Sequence, residues 1–179
     1  VENGYLLLSD ETGREQAKAN YDLQSKYDVP VEWLETDQVA ERFSEINIDG
    51  ISAATFGYRN EGWIDPMSLL NGFKRKARHL GVHYVNDEVV DLLRKKSQVQ
   101  GVALKEGAEI RSQWVVNAAG PRASTIGAMA GVEIPIRPQR LVTFVFDCQR
   151  VVEHYPLTLD VSGVTFRPEG AGYLALLAP

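Results

Sequence analysis

Residues 115–124, VVNAAGPRAS, form the stretch that most strongly predicts the fold. A run of valines ends in two alanines and a glycine, so a buried strand here would carry no bulk at its carboxyl end. Pro121 suits the first turn of a helix, and Gly131 suits its end. A flat or anionic ligand can approach the backbone at such a strand end, as in open α/β sheets. Alternatively, the small residues only permit tight strand-to-helix packing.

The clearest predicted helix lies upstream of this stretch, at residues 66–80. Asp65 is a suitable N-cap, Pro66 suits the first helical position, and Gly81 suits the left-handed residue after the helix. An apolar stripe along one side is formed by Met67, Leu70, Phe73, Ala77 and Leu80. We therefore expect this helix to pack on a sheet.

Apolar runs on both sides of these two elements predict further secondary structure. Helices are predicted at 11–27 and after an N-cap at Thr36, and strands at 5–8, 51–58, 82–85, 88–93, 99–104, 109–116, 141–146, 157–159, 161–166 and 173–177. The pattern predicts a mixed α/β (α+β) fold.

The composition is typical of a water-soluble globular protein. Of 179 residues, 44% are hydrophobic, and the formal net charge of −5 argues against a nonspecific nucleic-acid partner. No apolar run approaches the ~18 residues of a membrane span, and the single cysteine, Cys148, indicates a reducing, cytoplasmic compartment. Because the chain begins at Val1 without a methionine and stops at Pro179 after a strand-like run, we expect it to be an internal piece of a longer protein.

Several motifs suggest chemistry that their context does not support. A G-x-G-x-x-A match at residues 170–175 leads into a strand-like run rather than a helix, which predicts a hairpin turn instead of a dinucleotide site. Basic residues at 74–78 and 94–96 are interpreted as solvated surface. Metal-ligand spacing is absent from the three histidines, which are His79, His83 and His154. We therefore predict no metal site, and Cys148 is interpreted as an inert thiol.

Arg167, in VTFRPEG, is the candidate residue for recognising a carboxylate. Its planar guanidinium can donate two parallel hydrogen bonds to a carboxylate group. The alternative that the spacing leaves open is a local ion pair with Glu169.

Four segments together resemble a known family: EGWIDPMSLLNGFKRKARHLGV, EVVDLL, VQGVAL and VVNAAGPRASTIGAMAGVEIPIRPQR. Their order and intervals are similar to those of the flavin-dependent amine and amino-acid oxidoreductases of the D-amino-acid oxidase-like family, which includes sarcosine, glycine and dimethylglycine oxidases and dehydrogenases. The resemblance covers nearly the whole chain. It implies part of a Rossmann-like FAD/NAD(P)-binding domain at 61–133, and parts of a mixed-sheet substrate domain at 1–60 and 134–179.

The resemblance also implies which residues lie beside FAD. The backbone of Val89 would contact the adenine side of the cofactor, and Ala118, Ala119, Gly120 and Arg122 would lie beside it. Arg122 departs from the family pattern, in which tryptophan is common at this position. The glycine-rich fingerprint that seats the pyrophosphate would precede the chain, so we expect the chain alone to retain little or no flavin and to be inactive.

The reaction implied by the resemblance is oxidation of the C–N bond of an amino acid or secondary amine, with hydride transfer to FAD. Arg167 would bind the substrate carboxylate. Two alternatives remain open: an assembly or interaction factor that keeps the flavoprotein fold with little turnover, and a flavoenzyme that oxidises a hydroxy acid or glycerol phosphate.

Overall fold

The computed structural model describes residues 1–149 and 154–177. Val1–Leu69 and Leu141–Pro179 together form one compact unit, the first unit, and Leu70–Arg140 form the second unit. Helices and strands occur as a mixed α/β fold, as predicted. The predicted segment 134–179 lies in part, at 150–153 and 178–179, outside the described residues.

The elements differ from the predicted ones mainly at their ends. The helices are α1 Arg14–Lys26, α2 Thr36–Arg42, α3 Pro66–His79 and α4 Ala123–Met129, with a 3-10 turn at Gly120–Arg122 before α4. The strands are β1 Tyr5–Ser9, β2 Val31–Glu35, β3 Ala53–Gly57, β4 Val89–Lys95, β5 Gln98–Leu104, β6 Glu109–Arg111, β7 Thr143–Phe146, β8 Leu157–Leu159, β9 Val164–Glu169 and β10 Gly172–Leu177.

The first unit is built on one mixed sheet with the strand order β2-β3-β1-β8-β9-β10-β7. Strands β1 and β8 are parallel, and the other neighbouring strands are antiparallel. Paired residues share a face of a sheet. Leu6, which pairs with Phe56, therefore defines one face (the Leu6 face), and Tyr5, which pairs with Gly57, defines the other (the Tyr5 face).

Helix α2 and the loop after it cover the Leu6 face. Leu6 and Val39 have no exposed surface. Phe43 packs edge-on against Phe56 and Tyr155, with ring centroids 5.3 and 6.0 Å apart. Edge-to-face aromatic contacts of this kind add to the stabilisation from apolar burial. The core of the first unit therefore lies between α2 and the sheet.

The start of α2 differs by one residue from the prediction. Glu35 is the N-cap, and it forms a capping box in which its backbone N–H donates to the Gln38 side chain at 2.8 Å. The predicted cap, Thr36, donates its hydroxyl to the Ile51 carbonyl at 3.0 Å instead. The capping box of Glu35 and Gln38 satisfies the start of the helix, and Thr36 instead ties α2 to the chain before β3.

Truncating the buried Val39 to alanine is expected to lower the free energy of unfolding by about 2 kcal/mol. The change removes two methyl groups from a site without solvent contact and leaves a cavity. The same truncation at Val161, which is 41% exposed, is the matched control and should have little effect. Urea unfolding followed by circular dichroism measures both, and equal stability of the two variants would contradict this account of the core.

The second unit contains a three-stranded antiparallel sheet, β4-β5-β6, and helix α4. Leu92 and Leu104 of the sheet are buried, as are Ala123 and Gly127 of α4. A Cβ atom at Gly127 would lie 2.7 Å from the Ile134 side chain, so glycine is needed for that side chain to pack on α4.

Two expectations for the second unit are wrong for the described chain. Residues 82–85 and 112–116 do not belong to its strands, and Trp114 and Val116 are 85% and 87% exposed. A strand requires a neighbour for its backbone groups, however apolar its side chains are. The stripe of α3 likewise does not pack on a sheet: Phe73 and Leu80 are 67% and 68% exposed, and none of the helix residues is buried.

Candidate functional site

The stretch VVNAAGPRAS lines a cavity of about 600 Å³ in the second unit. Val89, Ala118, Ala119 and Arg122, four of the predicted cofactor residues, contribute to its wall. The remaining wall is mostly apolar and includes Val90, Leu92, Val102, Ile126 and Met129. Such a cavity suits a flat, largely apolar group, with polar atoms at its edge.

The small residues at the end of the stretch are held in place by Asn117. Its side-chain amide donates to the Ala123 carbonyl at 2.9 Å, and its side-chain oxygen accepts the Ala119 N–H at 3.3 Å. Gly120 follows with φ of +54°, a conformation that favours glycine, and a Cβ atom there would meet nothing within 4 Å. Asn117 therefore fixes the turn that exposes both alanines to the cavity.

Arg122 supplies a positive charge at the rim of this cavity. Its side chain is 79% exposed and lies 3.4 Å from the carboxylate of Glu88, which also pairs with Lys105 at 3.1 Å. Ion pairs this exposed hold their partners weakly. The Arg122 guanidinium is therefore available to an anion at the rim.

Val89 stands at an irregular point of the sheet. It pairs with Leu104, but the next pair is Asp91 with Ala103, so the register of β4 and β5 shifts between Val89 and Asp91. A bulge of this kind breaks the ladder locally and redirects a side chain. Here it occurs where β4 borders the cavity.

Arg167, the predicted substrate residue, lies in the first unit and on the Tyr5 face. It pairs with Leu174 of β10, and its side chain is only 18% exposed. The guanidinium carbon lies 5.2 Å from the centre of the Trp63 ring, a cation–π distance. The same guanidinium donates to the Pro168 carbonyl at 3.0 Å and to the Glu169 carboxylate.

The local pair with Glu169, foreseen as an alternative for Arg167, is thus present in the structure. The hydrogen bonds to Pro168 and Glu169 use one terminal nitrogen of the guanidinium, Nη1. An arginine has five N–H donors. The pair with Glu169 therefore does not prevent Arg167 from binding a further anion.

The motifs set aside in the sequence take the structures expected of them. Within residues 170–175, the first two form the turn between the antiparallel strands β9 and β10, and the rest belong to β10. The predicted hairpin turn is therefore confirmed. His79 ends α3, whereas His83 lies beyond it, with Gly81 at φ +87° between them. Cys148 is a free, exposed thiol.

Two kinds of feature are missing from the described residues. Across 1–149 and 154–177, no three histidine, cysteine, aspartate or glutamate side chains are grouped so as to hold a metal ion. In the same ranges, no helix has the length and apolar character needed to cross a bilayer.

Comparison with known proteins places this fold among flavoprotein oxidoreductases. The model of the family described as FAD dependent oxidoreductase matches residues 1–178. A glycine oxidase from Geobacillus kaustophilus has a TM-score of 0.81 at 21% identity, covering 100% of this chain and 48% of that one. L-proline dehydrogenase from P. horikoshii has a TM-score of 0.80 at 23% identity, covering 98% and 48%. At these identities the two structures show the fold alone.

The chain belongs to the FAD dependent oxidoreductase family, the D-amino-acid oxidase-like family that the sequence resembles. A curated relative, FAD-dependent oxidoreductase domain-containing protein 1 of Xenopus laevis, is 31% identical over 209 residues. The match covers 99% of this chain and 42% of the relative, so the chain spans less than half of that protein's length.

Proposed function

We propose that the protein containing this chain oxidises the C–N bond of an amino acid or secondary amine with FAD as its cofactor. The observation that carries the proposal is the family match over residues 1–178. Two solved structures with this fold bear the names glycine oxidase and L-proline dehydrogenase, which are enzymes of small amino acids. In the reaction the substrate carbon loses a hydride and its nitrogen a proton, so that a C–N single bond becomes C=N.

The cavity of the second unit fits one part of FAD. Its mostly apolar wall suits the flat adenine ring, the bulge at Val89 lies at its border, and Arg122 at the rim offers a cation to a phosphate. We assign Val89, Ala118, Ala119 and Arg122 to cofactor binding on this basis. Gly120, which does not line the cavity, is assigned with them because it forms the turn between Ala119 and Arg122. FAD, when bound, supplies the acceptor for two electrons. The second unit would thus belong to the cofactor domain.

The first unit would belong to the substrate domain. Arg167 projects from the Tyr5 face, is mostly buried and keeps N–H groups beyond those bonded to Pro168 and Glu169. We assign binding of the substrate carboxylate to Arg167. Holding the carboxylate fixes the α-carbon relative to the sheet, which is how positioning residues contribute to the rate.

The proposal is tested by mixing the complete, FAD-loaded protein anaerobically with sarcosine, glycine, N,N-dimethylglycine or proline. Bleaching of the flavin absorbance by at least one amine is the expected result. Glycolate, lactate and glycerol 3-phosphate serve as controls with a C–O bond in place of the C–N bond. Bleaching by these alone would replace the proposed reaction with hydroxy-acid or alcohol oxidation, and bleaching by none would favour an assembly or interaction role.

A further inference from the structure

Glu61 carries a carboxylate that the proposed function does not use. The group lies directly over Gly57, the last residue of β3: a Cβ atom at Gly57 would coincide with the Glu61 carboxylate. Glycine at this position therefore makes room for the acid. No hydrogen bond or ion pair to this carboxylate occurs among the described residues, and burial raises the pKa of the Glu61 carboxyl above its ordinary value.

Strand register puts this carboxylate on the Tyr5 face. Gly57 pairs with Tyr5, so the missing Cβ of Gly57 and the side chain of Tyr5 point to the same side of the sheet. Tyr5 adds a polar atom nearby and is itself fixed, since its hydroxyl donates to the Gly62 carbonyl at 3.1 Å. The acid is thus on a sheet face rather than in a solvated turn.

Arg167 belongs to the same row of residues across the sheet. Tyr5 pairs with Leu157 of β8, and the β8–β9 register, in which Leu159 pairs with Thr165, brings Leu157 opposite Arg167. Three strand spacings separate the backbones of Gly57 and Arg167, about 14 Å at about 4.8 Å each.

The Arg167 side chain shortens this span. Its guanidinium reaches the ring of Trp63, and Trp63 follows Glu61 by two residues in the chain. A partly desolvated acid and a mostly buried arginine thus lie on one face, with an aromatic ring near the arginine. The two groups carry opposite charges, the signs complementary to the amino and carboxylate ends of an amino acid.

We propose that Glu61 binds the amino group of the substrate, while Arg167 binds its carboxylate. The inference rests on the proposed function for the role of Arg167 and adds the residue that selects amines. Glu61 accepts hydrogen bonds from the N–H groups of the bound amine through its carboxylate oxygens, which are charge-assisted bonds in a partly buried setting. Compounds with a carboxylate but no amine gain nothing from it.

The test compares two ligands of nearly equal shape, 2-aminoisobutyrate and 2-hydroxyisobutyrate. Neither has a hydrogen on its α-carbon, so calorimetric titration of the complete, FAD-loaded protein measures binding without turnover. Glu61→Gln is expected to raise the Kd for 2-aminoisobutyrate about tenfold, the effect of losing one charge-assisted hydrogen bond. The Kd for 2-hydroxyisobutyrate should change by less than about twofold. Glu41→Gln, on the exposed side of α2, is the matched control and should change neither value.

A second variant moves the acid without removing it. Gly57→Ala introduces a Cβ atom where the Glu61 carboxylate now lies, so it should reproduce the loss of selectivity with all charges retained. Equal weakening of both ligands by Glu61→Gln, or no weakening of either, would overturn the inference. Failure of the proposed function has a different signature, since the flavin would then not be bleached by any amine although the ligand selectivity could still be measured.

Discussion

Replacing Ala119 with tryptophan is expected to abolish FAD retention by the complete protein. Ala119 lies in the wall of the cavity of about 600 Å³, and an indole ring there would occupy the space assigned to the adenine ring. Excluding a flat ring that buries about 150 Å² costs roughly 4 kcal/mol of binding free energy, or more than about 100-fold in Kd. The measurement is the flavin absorbance that elutes with the protein in gel filtration, supported by a fluorescence titration with FAD.

The control must separate occlusion of the cavity from damage to the fold. Ala108→Trp adds the same side chain at an exposed turn between β5 and β6, outside the cavity wall, and should leave FAD binding unchanged. Both variants should keep the far-ultraviolet circular dichroism of the wild type. Normal flavin retention by Ala119→Trp would mean that the cavity is not a cofactor site, and that the small residues serve only the local packing before α4.

Elements whose signals are local in sequence were predicted well. For the predicted helix 66–80, α3 spans Pro66–His79, and the Asp65 carboxylate accepts the Ser68 N–H at 2.7 Å as an N-cap should. Hydrogen bonding from the Ser68 side chain, and then from its backbone N–H, lowers the pKa of the Asp65 carboxyl. Gly81 follows with φ of +87°. Cap, first-turn proline and terminal glycine all act within a few residues, so the sequence alone contains them.

Features that depend on distant partners were missed or misjudged. Strand β2, VEWLE, has acidic residues at its second and fifth positions and follows a proline. It becomes a strand because it pairs with β3 at the edge of the sheet. The opposite error occurred at Trp114 and Val116, whose apolar side chains predicted a strand that has no neighbour among the described residues. Whether a segment becomes a strand depends on a neighbouring strand that is distant in sequence, and the pattern of side chains along the segment indicates such a neighbour only indirectly.

The candidate sites divide in the same way. Ala118, Ala119 and Arg122 are close in sequence, and their common cavity follows from one short segment and the turn that Asn117 fixes. Glu61 and Trp63 were missed because nothing in EGW marks their relation to Arg167, more than a hundred residues later. The signal that could have found Glu61 is the glycine at position 57, at the end of an otherwise buried strand, which indicates a close approach by another group.

Removing the side chain of Arg167 is expected to weaken the complete enzyme's interaction with amino acids by about 100-fold. Arg167 would hold the substrate carboxylate by two parallel hydrogen bonds in a mostly buried site. Without it, the carboxylate charge is left unpaired in that site, so the loss of affinity is large. The loss should appear as a higher KM for the amino acid that bleaches the flavin. Its methyl ester, which lacks the negative charge, should be oxidised equally well by Arg167→Ala and the wild type.

Three companion variants distinguish recognition of the carboxylate from a structural role of Arg167. Arg167→Lys keeps the charge but loses the planar fork, so it should fall between wild type and Arg167→Ala. Glu169→Gln releases the guanidinium from its local pair and should strengthen amino-acid binding or leave it unchanged, because the pair competes with the substrate for the same cation. Arg59→Ala, at an exposed turn, is the control for removing a positive charge from the first unit. If Arg167→Ala and Glu169→Gln lower thermal stability equally while KM for the amino acid stays constant, Arg167 only ties the β9–β10 hairpin together, and carboxylate binding must be assigned to another residue.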